Sequence, residues 1–189
     1  ELGRMLSTRL LTEINQDGVE ADFYFTSMGL IRSSILKDVA YDRADIFELV
    51  GIGYDKDLKP GVDTVTFYLT VSEVKKLINF LELYSHISNN FAPVFSNNLK
   101  FEINKMGIPF INRIKDIKLN GRSLELEENR LIKLATNRFV IDNLGTINSA
   151  THGLVKIDPK NKDGISIRNY PSHKKEYELL IESFLKHNN

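Results

Sequence analysis

Apolar positions repeat at two spacings along this chain, and the switches between them mark its elements. Met5, Leu6, Leu10, Leu11 and Ile14 recur at helical spacing and stop at Asp17-Gly18, which predicts an amphipathic helix closed by glycine. Ala21 to Thr26 is short and aromatic and is followed by Gly29. It reads as a buried strand running into a turn, with Arg32 on the loop beyond. Asp42 is an N-cap candidate for a short helix through Ile46, Phe47, Leu49 and Val50, ending before Gly51 and Gly53.

After Lys59-Pro60-Gly61, residues 62–69 (VDTVTFYL) alternate as a strand with β-branched and aromatic positions. Thr70 and Glu73 have capping-box spacing, and the helix they open carries Val71, Val74, Leu77, Ile78, Leu81 and Tyr84 on one stripe. Its exit, Ser88-Asn89-Asn90, is polar. Residues 99–103, 114–119 and 131–135 read as further strands, with a tight-turn signal at Asn120-Gly121. A last amphipathic helix is expected over 174–186, with Tyr177, Leu180, Ile181, Phe184 and Leu185 on its apolar side. Strands and helices interleave without the regular period of a doubly wound sheet. The expected fold is therefore an α+β layered domain, a mixed β-sheet with flanking helices.

A length of 189 residues suits one domain with a single core. The 25 Lys and Arg balance the 25 Asp and Glu, so no net field draws in a polyanion, and nucleic acid is not an expected partner. The absence of cysteine removes disulfides, thiolate metal ligands and a thiol nucleophile together. No apolar run approaches the ~20 residues of a membrane span, and the chain reads as soluble. It opens on Glu1 rather than Met, from which a preceding segment is expected.

His86, His152, His173 and His187 show no metal-ligand spacing. Asp38, Asp42 and Asp45 cluster, but capping and solvation account for them better than a cation site does. No phosphate loop or nucleophile elbow appears, and no catalytic constellation is legible. Two residues stand out. Arg32 follows a strand and turn where a guanidinium and exposed backbone together meet a phosphate, although a solvated loop Arg fits the same pattern. Phe139 follows a predicted strand and either stacks on a base or joins the core.

The order of these passages over roughly residues 2 to 150 resembles the C-terminal domain of the 5'-nucleotidase and UDP-sugar hydrolase family. Ser27-Met28-Gly29-Leu30-Ile31-Arg32 stands where the family has an Asn-Gly-Gly-Gly-Ile-Arg-like turn, and residues 45–54 look like its Pro-Phe-Gly-Asn-like segment in altered form. Residues 65–81 match a strand followed by a helix, with Val71 at a usual Gly. Residues 114–136, with Asn120-Gly121 at the turn and Leu134-Ala135-Thr136-Asn137 after it, look like the family's closing hairpin. The resemblance implies that this domain grips a nucleotide, while a separate N-terminal metallophosphoesterase domain, in cis or in trans, holds the divalent metals and activates the water. The chain itself is expected to hold no cofactor and no catalytic residue. A periplasmic or extracellular location is implied in the same way.

By this resemblance Arg32 is the phosphate-contacting Arg and Phe139 one of two rings that sandwich the base. Ser27 stands for the base-reading Asn, Ile52 for the second ring, and Gly145 for the ribose-binding Asp. Arg4 and Thr8 replace the Asn and Asp of the opening helix. Two functions follow as alternatives: the substrate domain of a phosphoric ester hydrolase with an altered pocket, or a binding or structural module that kept the fold and lost nucleotide recognition. The domain is expected to span residues 1–150, with 151–189 forming a loop and terminal helix packed on it.

Overall fold

The computed structural model describes residues 2–34, 41–51, 53–55, 57–86, 92–108, 113–144, 151 and 155–187. Ile52 and Gly145 of the expected pocket, together with Asp38 and His152, lie outside these residues. The apolar spacing of the first segment folds as helix α1 (Leu2–Gln16), with Leu6, Leu10 and Ile14 fully buried. It ends where Gly18 takes a positive φ of 82° and the Gly18 and Val19 amides cap the last carbonyls. Strand β1 (Phe23–Ser27) follows and runs into a single 3₁₀ turn over Met28–Leu30. Helix α2 (Arg43–Val50) opens on a capping box in which Asp42 accepts from the Asp45 amide and Asp45 answers to the Asp42 amide. These two acidic residues are thus consumed by helix initiation.

Strand β2 (Asp63–Thr70) leads directly into α3 (Val71–Ser85), and the expected Thr70–Glu73 capping box is formed. The remaining elements are β3 (Pro93–Phe95), β4 (Leu99–Ile103), β5 (Ile114–Leu119), β6 (Arg122–Ser123), β7 (Leu131–Asn137), α4 (Arg138–Asp142), β8 (Ser172–Lys175) and α5 (Glu176–His187). Five strands form one sheet in the order β3-β1-β7-β2-β8, in which only β1 and β7 run parallel among the described residues. Strands β4, β5 and β6 form a second, antiparallel sheet. This is the mixed α+β architecture that the alternation of periods predicts.

Two expectations are corrected. The Asn120-Gly121 turn is present, with φ of 52° and 82°, the double positive φ of a tight hairpin. It joins β5 to the two-residue β6, however, and β7 goes to the other sheet rather than closing a hairpin with β5. The last helix begins at Glu176, because Lys174 and Lys175 belong to β8, which pairs with β2 at the sheet edge. Residues beyond 150 enter the core: Val155 and Ile157 join the cluster on the α3 side, and Leu179 and Leu180 join the one on the α1 side.

The five-stranded sheet is covered on both faces. Alternate residues of its central strands point opposite ways, so Phe23, Phe25 and Leu134 pack toward α3 and the small sheet, while Tyr24 and Ala135 pack toward α1, α2 and α5. Each fully buried Leu, Ile or Phe in these layers stabilises the fold by roughly 1.5–3 kcal/mol before conformational entropy is subtracted.

Candidate functional site

The parallel pair of the large sheet, β1 and β7, defines the end at which the candidate residues meet. In open sheets with parallel strands, ligands bind beyond the carboxyl ends of those strands, where the following loops diverge. Phe23 pairs with Leu134 and Tyr24 with Ala135; continued along both strands, that register sets Ser27 level with Arg138. The segments that carry Arg32 and Phe139 thus leave the sheet side by side. Because β2 is antiparallel to β7, its first residues and the 53–61 loop before them lie at this same end.

Arg32 is exposed, and two hydrogen bonds tie its loop to the C-terminus of α2. Its amide donates to the Leu49 carbonyl and its Nη1 to the Gly51 carbonyl, both at 2.9 Å. Gly51 is required there by close approach, since a Cβ would lie 2.4 Å from the Phe47 carbonyl oxygen. One arm of the guanidinium fork is fixed in this way, which presets the orientation of the other donors. Ser27 is half-buried at the end of β1, opposite Pro93 of β3.

Phe139 lies in the first turn of α4 and is 46% exposed, so it is not a core residue. The Asn137 side chain caps this short helix, accepting from the Val140 amide at 2.9 Å. The Asn143 amide group then donates to the Phe139 carbonyl at 2.7 Å. A half-exposed ring on a helix pinned at both ends can stack on a flat ligand at little entropic cost. Arg4 and Thr8 do other work: the Thr8 hydroxyl donates to the Arg4 carbonyl and accepts from the Asn97 amide, which ties α1 to the turn after β3.

Beneath α4 is a polar cluster that local sequence does not reveal. Glu176, 4% exposed, takes hydrogen bonds from the Tyr24 hydroxyl and from the Asn137 amide group. Burial pushes its carboxyl up to about 7, against the opposing pull of those two donors. Burial, reinforced by Glu176, likewise raises the Tyr24 hydroxyl well above its ordinary value. Asn137 therefore does two jobs, capping α4 with its oxygen and holding Glu176 with its nitrogen.

Next to it, the buried ammonium of Lys175 donates to the carbonyls of Lys59, Pro60 and Gly61 and pairs with Asp55 at 2.8 Å. Hydrogen bonding to Lys175, then to the Lys59 amide, holds the Asp55 carboxyl down at about 2. The loop before β2 is thereby stapled to the start of α5. Lys175 and Glu176 read in sequence as an ordinary charged helix start, and the partners that define their roles are 39 or more residues distant.

Among the described residues there is no group of three or more His, Asp or Glu placed to hold a metal ion, and no helix is long and apolar enough to cross a membrane. No protein-family model matches the sequence, and the comparison with curated proteins gives no match. Similarity to solved structures is extensive. A 5'-nucleotidase precursor from Thermus thermophilus superposes with a TM-score of 0.64 at 14% identity, over 98% of this chain and 32% of that one. The NAD nucleotidase of Haemophilus influenzae gives 0.58 at 14% identity, over 97% of this chain and 29% of that one. The sulfate thiohydrolase SoxB of Thermus thermophilus gives 0.59 at 13% identity, over 95% and 29%. The chain thus has a fold found within 5'-nucleotidase-family structures and spans about 30% of their length. The likeness runs past residue 150 and includes the terminal strand and helix.

Proposed function

We propose that this chain is the substrate-recognition domain of a 5'-nucleotidase-type phosphoesterase, binding a nucleotide or nucleotide-like molecule and catalytic only together with a metal-bearing domain that precedes it or lies on a partner chain. The observation that supports this reading is the parallel β1–β7 pair, whose following segments bring a half-oriented guanidinium and a half-exposed aromatic ring to one end of a sheet with the 5'-nucleotidase-like fold. In this reading Arg32 meets the phosphate and Phe139 stacks on the base. Ser27 faces the base edge, and Ile52 and Gly145, which lie outside the described residues, occupy the sequence positions that the resemblance gives to a second ring and a ribose contact. A periplasmic or extracellular location accompanies the proposal.

The chemistry asked of these residues is binding, not bond breaking. Charge-assisted contact to a phosphate is stronger than a neutral hydrogen bond, and a base–ring stack contributes about 1–3 kcal/mol. With one ring instead of two, affinity for the base is expected to be ~10-fold or more below that of a two-ring pocket.

The test is a thermal-shift titration with nucleotides, nucleosides and UDP-sugars, on the chain and on Arg32→Ala. A ligand that binds the native state raises its apparent stability by mass action. The expected result is a shift with one nucleotide class, reduced ~10-fold in affinity by Arg32→Ala for the phosphorylated ligand and little changed for its nucleoside. Equal losses for the two ligands would remove Arg32 from the phosphate. No shift at millimolar ligand, with the catalytic domain also supplied, favours the alternative reading of a module that kept the fold without nucleotide recognition.

A further inference from the structure

At the opposite end of the large sheet, residues of α3, of the small sheet and of the connection into β7 line an open depression of about 550 Å³. Ser72, Lys75, Lys76 and Asn79 line one wall at the i, i+3, i+4 and i+7 positions of α3, so they share one helix face. Arg113 and Lys115 face them from the start of β5, and Glu125 and Glu128 come from the connection into β7. Four cations therefore meet two carboxylates. One of those carboxylates is already committed, because Glu128 pairs with Lys75 at 2.5 Å.

Two polar atoms of these lining residues lack partners among the described residues. Asn79 is 2% exposed and its Oδ1 accepts no hydrogen bond; the Arg113 Nε is buried and donates none. A buried orphan polar atom costs stability unless something fills the space beside it. The amides at the N-terminus of α3 do not supply the attraction, since those of Val71, Ser72 and Glu73 bond to the Arg130 and Glu128 carbonyls and the Thr70 hydroxyl. What remains is a cationic wall of a half-open depression, with an unused donor, an unused acceptor and the volume of a small-molecule site.

We propose that this cavity binds a small organic anion with two or more negative charges, of the phosphate-ester or carboxylate kind. Lys76 and Lys115 meet the charge, the Arg113 Nε donates to an anionic oxygen, and Asn79 accepts from a hydroxyl on the same molecule. The site stands apart from the β1–β7 end and does not depend on the nucleotide reading there.

The experiment is calorimetric titration of the chain with citrate, pyrophosphate and glycerol 2-phosphate, alongside nitrogen-15 chemical shifts of the Asn79 side-chain amide and the Arg113 Nε. Saturable one-to-one binding that moves both resonances, weakened about 10-fold or more by Lys76→Gln with Lys115→Gln and unaffected by Arg32→Ala, is the expected result. Selectivity for citrate would assign the carboxylate kind, and selectivity for the other two the phosphate kind. Lys115 is exposed and Lys76 half-buried, and neither makes an ion pair among those described, so the double variant is expected to fold as the parent does. Binding that is unchanged in the double variant, or no movement of either resonance at about ten millimolar of any of the three anions, overturns the proposal.

Discussion

On the α3 side of the five-stranded sheet, the packed cluster runs from Phe23 through Phe67 and Leu77 to Ile157 and is built of aliphatic and aromatic side chains. On the α1–α5 side, a smaller apolar cluster stands beside Tyr24, Glu176 and Asn137, which are buried and hydrogen-bonded to one another. The first layer obeys the general rule that interiors are apolar and close-packed. The second places a carboxyl where desolvation opposes its charge, and its hydrogen bonds position the helix that carries Phe139. The difference teaches where precision resides in this molecule. The apolar layer supplies most of the stability, whereas the polar one fixes the geometry of the end where the candidate ligand residues converge.

The strongest test of that division is Leu77→Ala, which opens a cavity in the apolar layer and is expected to cost about 2–5 kcal/mol in urea unfolding. A loss below ~1 kcal/mol would mean that the α3 side does not carry the fold. Next comes the pH dependence of the polar layer. Glu176 titrates at about 7 when folded and near its ordinary value of 4.5 when unfolded. Below the unfolded value both states hold the proton. Between the two values only the folded state does, so stability falls as pH rises and then levels off. The decline is on the order of 3 kcal/mol. Glu176→Gln should abolish it. His173, whose depressed value follows mainly from burial, contributes with the opposite sign but equally in both proteins, so the difference between their pH profiles isolates Glu176. Identical profiles would show that Glu176 is ionised in the fold.

Lys175→Met is expected to cost less, about 1–2 kcal/mol, because the Lys59 and Pro60 carbonyls it releases belong to exposed residues that water can reach, which leaves the Gly61 carbonyl as the buried one. Its sharper signature is faster amide hydrogen exchange at Leu58 and Gly61, with α3 unaffected; unchanged exchange there would show that Lys175 does not hold the loop. The smallest effect belongs to Phe139→Leu, expected to alter stability by no more than ~0.5 kcal/mol because the ring is half exposed. It should still weaken any ligand that stacks on that ring. A large drop in melting temperature with unchanged binding would make the ring a packing element.

Legibility in the sequence followed the same division. Helices α1 and α3 were readable because one stripe of each faces a large apolar layer, and the Asn120-Gly121 turn because positive φ at two adjacent residues selects those residue types. Strand β3 is too short for periodicity to register, and β8 reads Ser-His-Lys-Lys because an edge strand need not alternate. The five residues of α4 owe their helix to a cap rather than to a stripe. Arg32 and Phe139 are legible from their place after predicted strands, which the fold keeps. Glu176 and Lys175 are not, since nothing near them in sequence marks either as buried.

The alternation of strands and helices, the α+β class and the apolar faces of the two layers are set locally along the chain, because burial periodicity and capping act over a few residues. Long-range packing sets the rest: β7 lies parallel to β1 rather than closing a hairpin with β5, Lys174 and Lys175 are strand rather than helix, and one carboxyl is held uncharged beneath α4 up to near neutral pH. That last outcome depends on burial, which outweighs the pull of two donors 152 and 39 positions away, and an enclosure of that kind exists only once the chain has closed on itself.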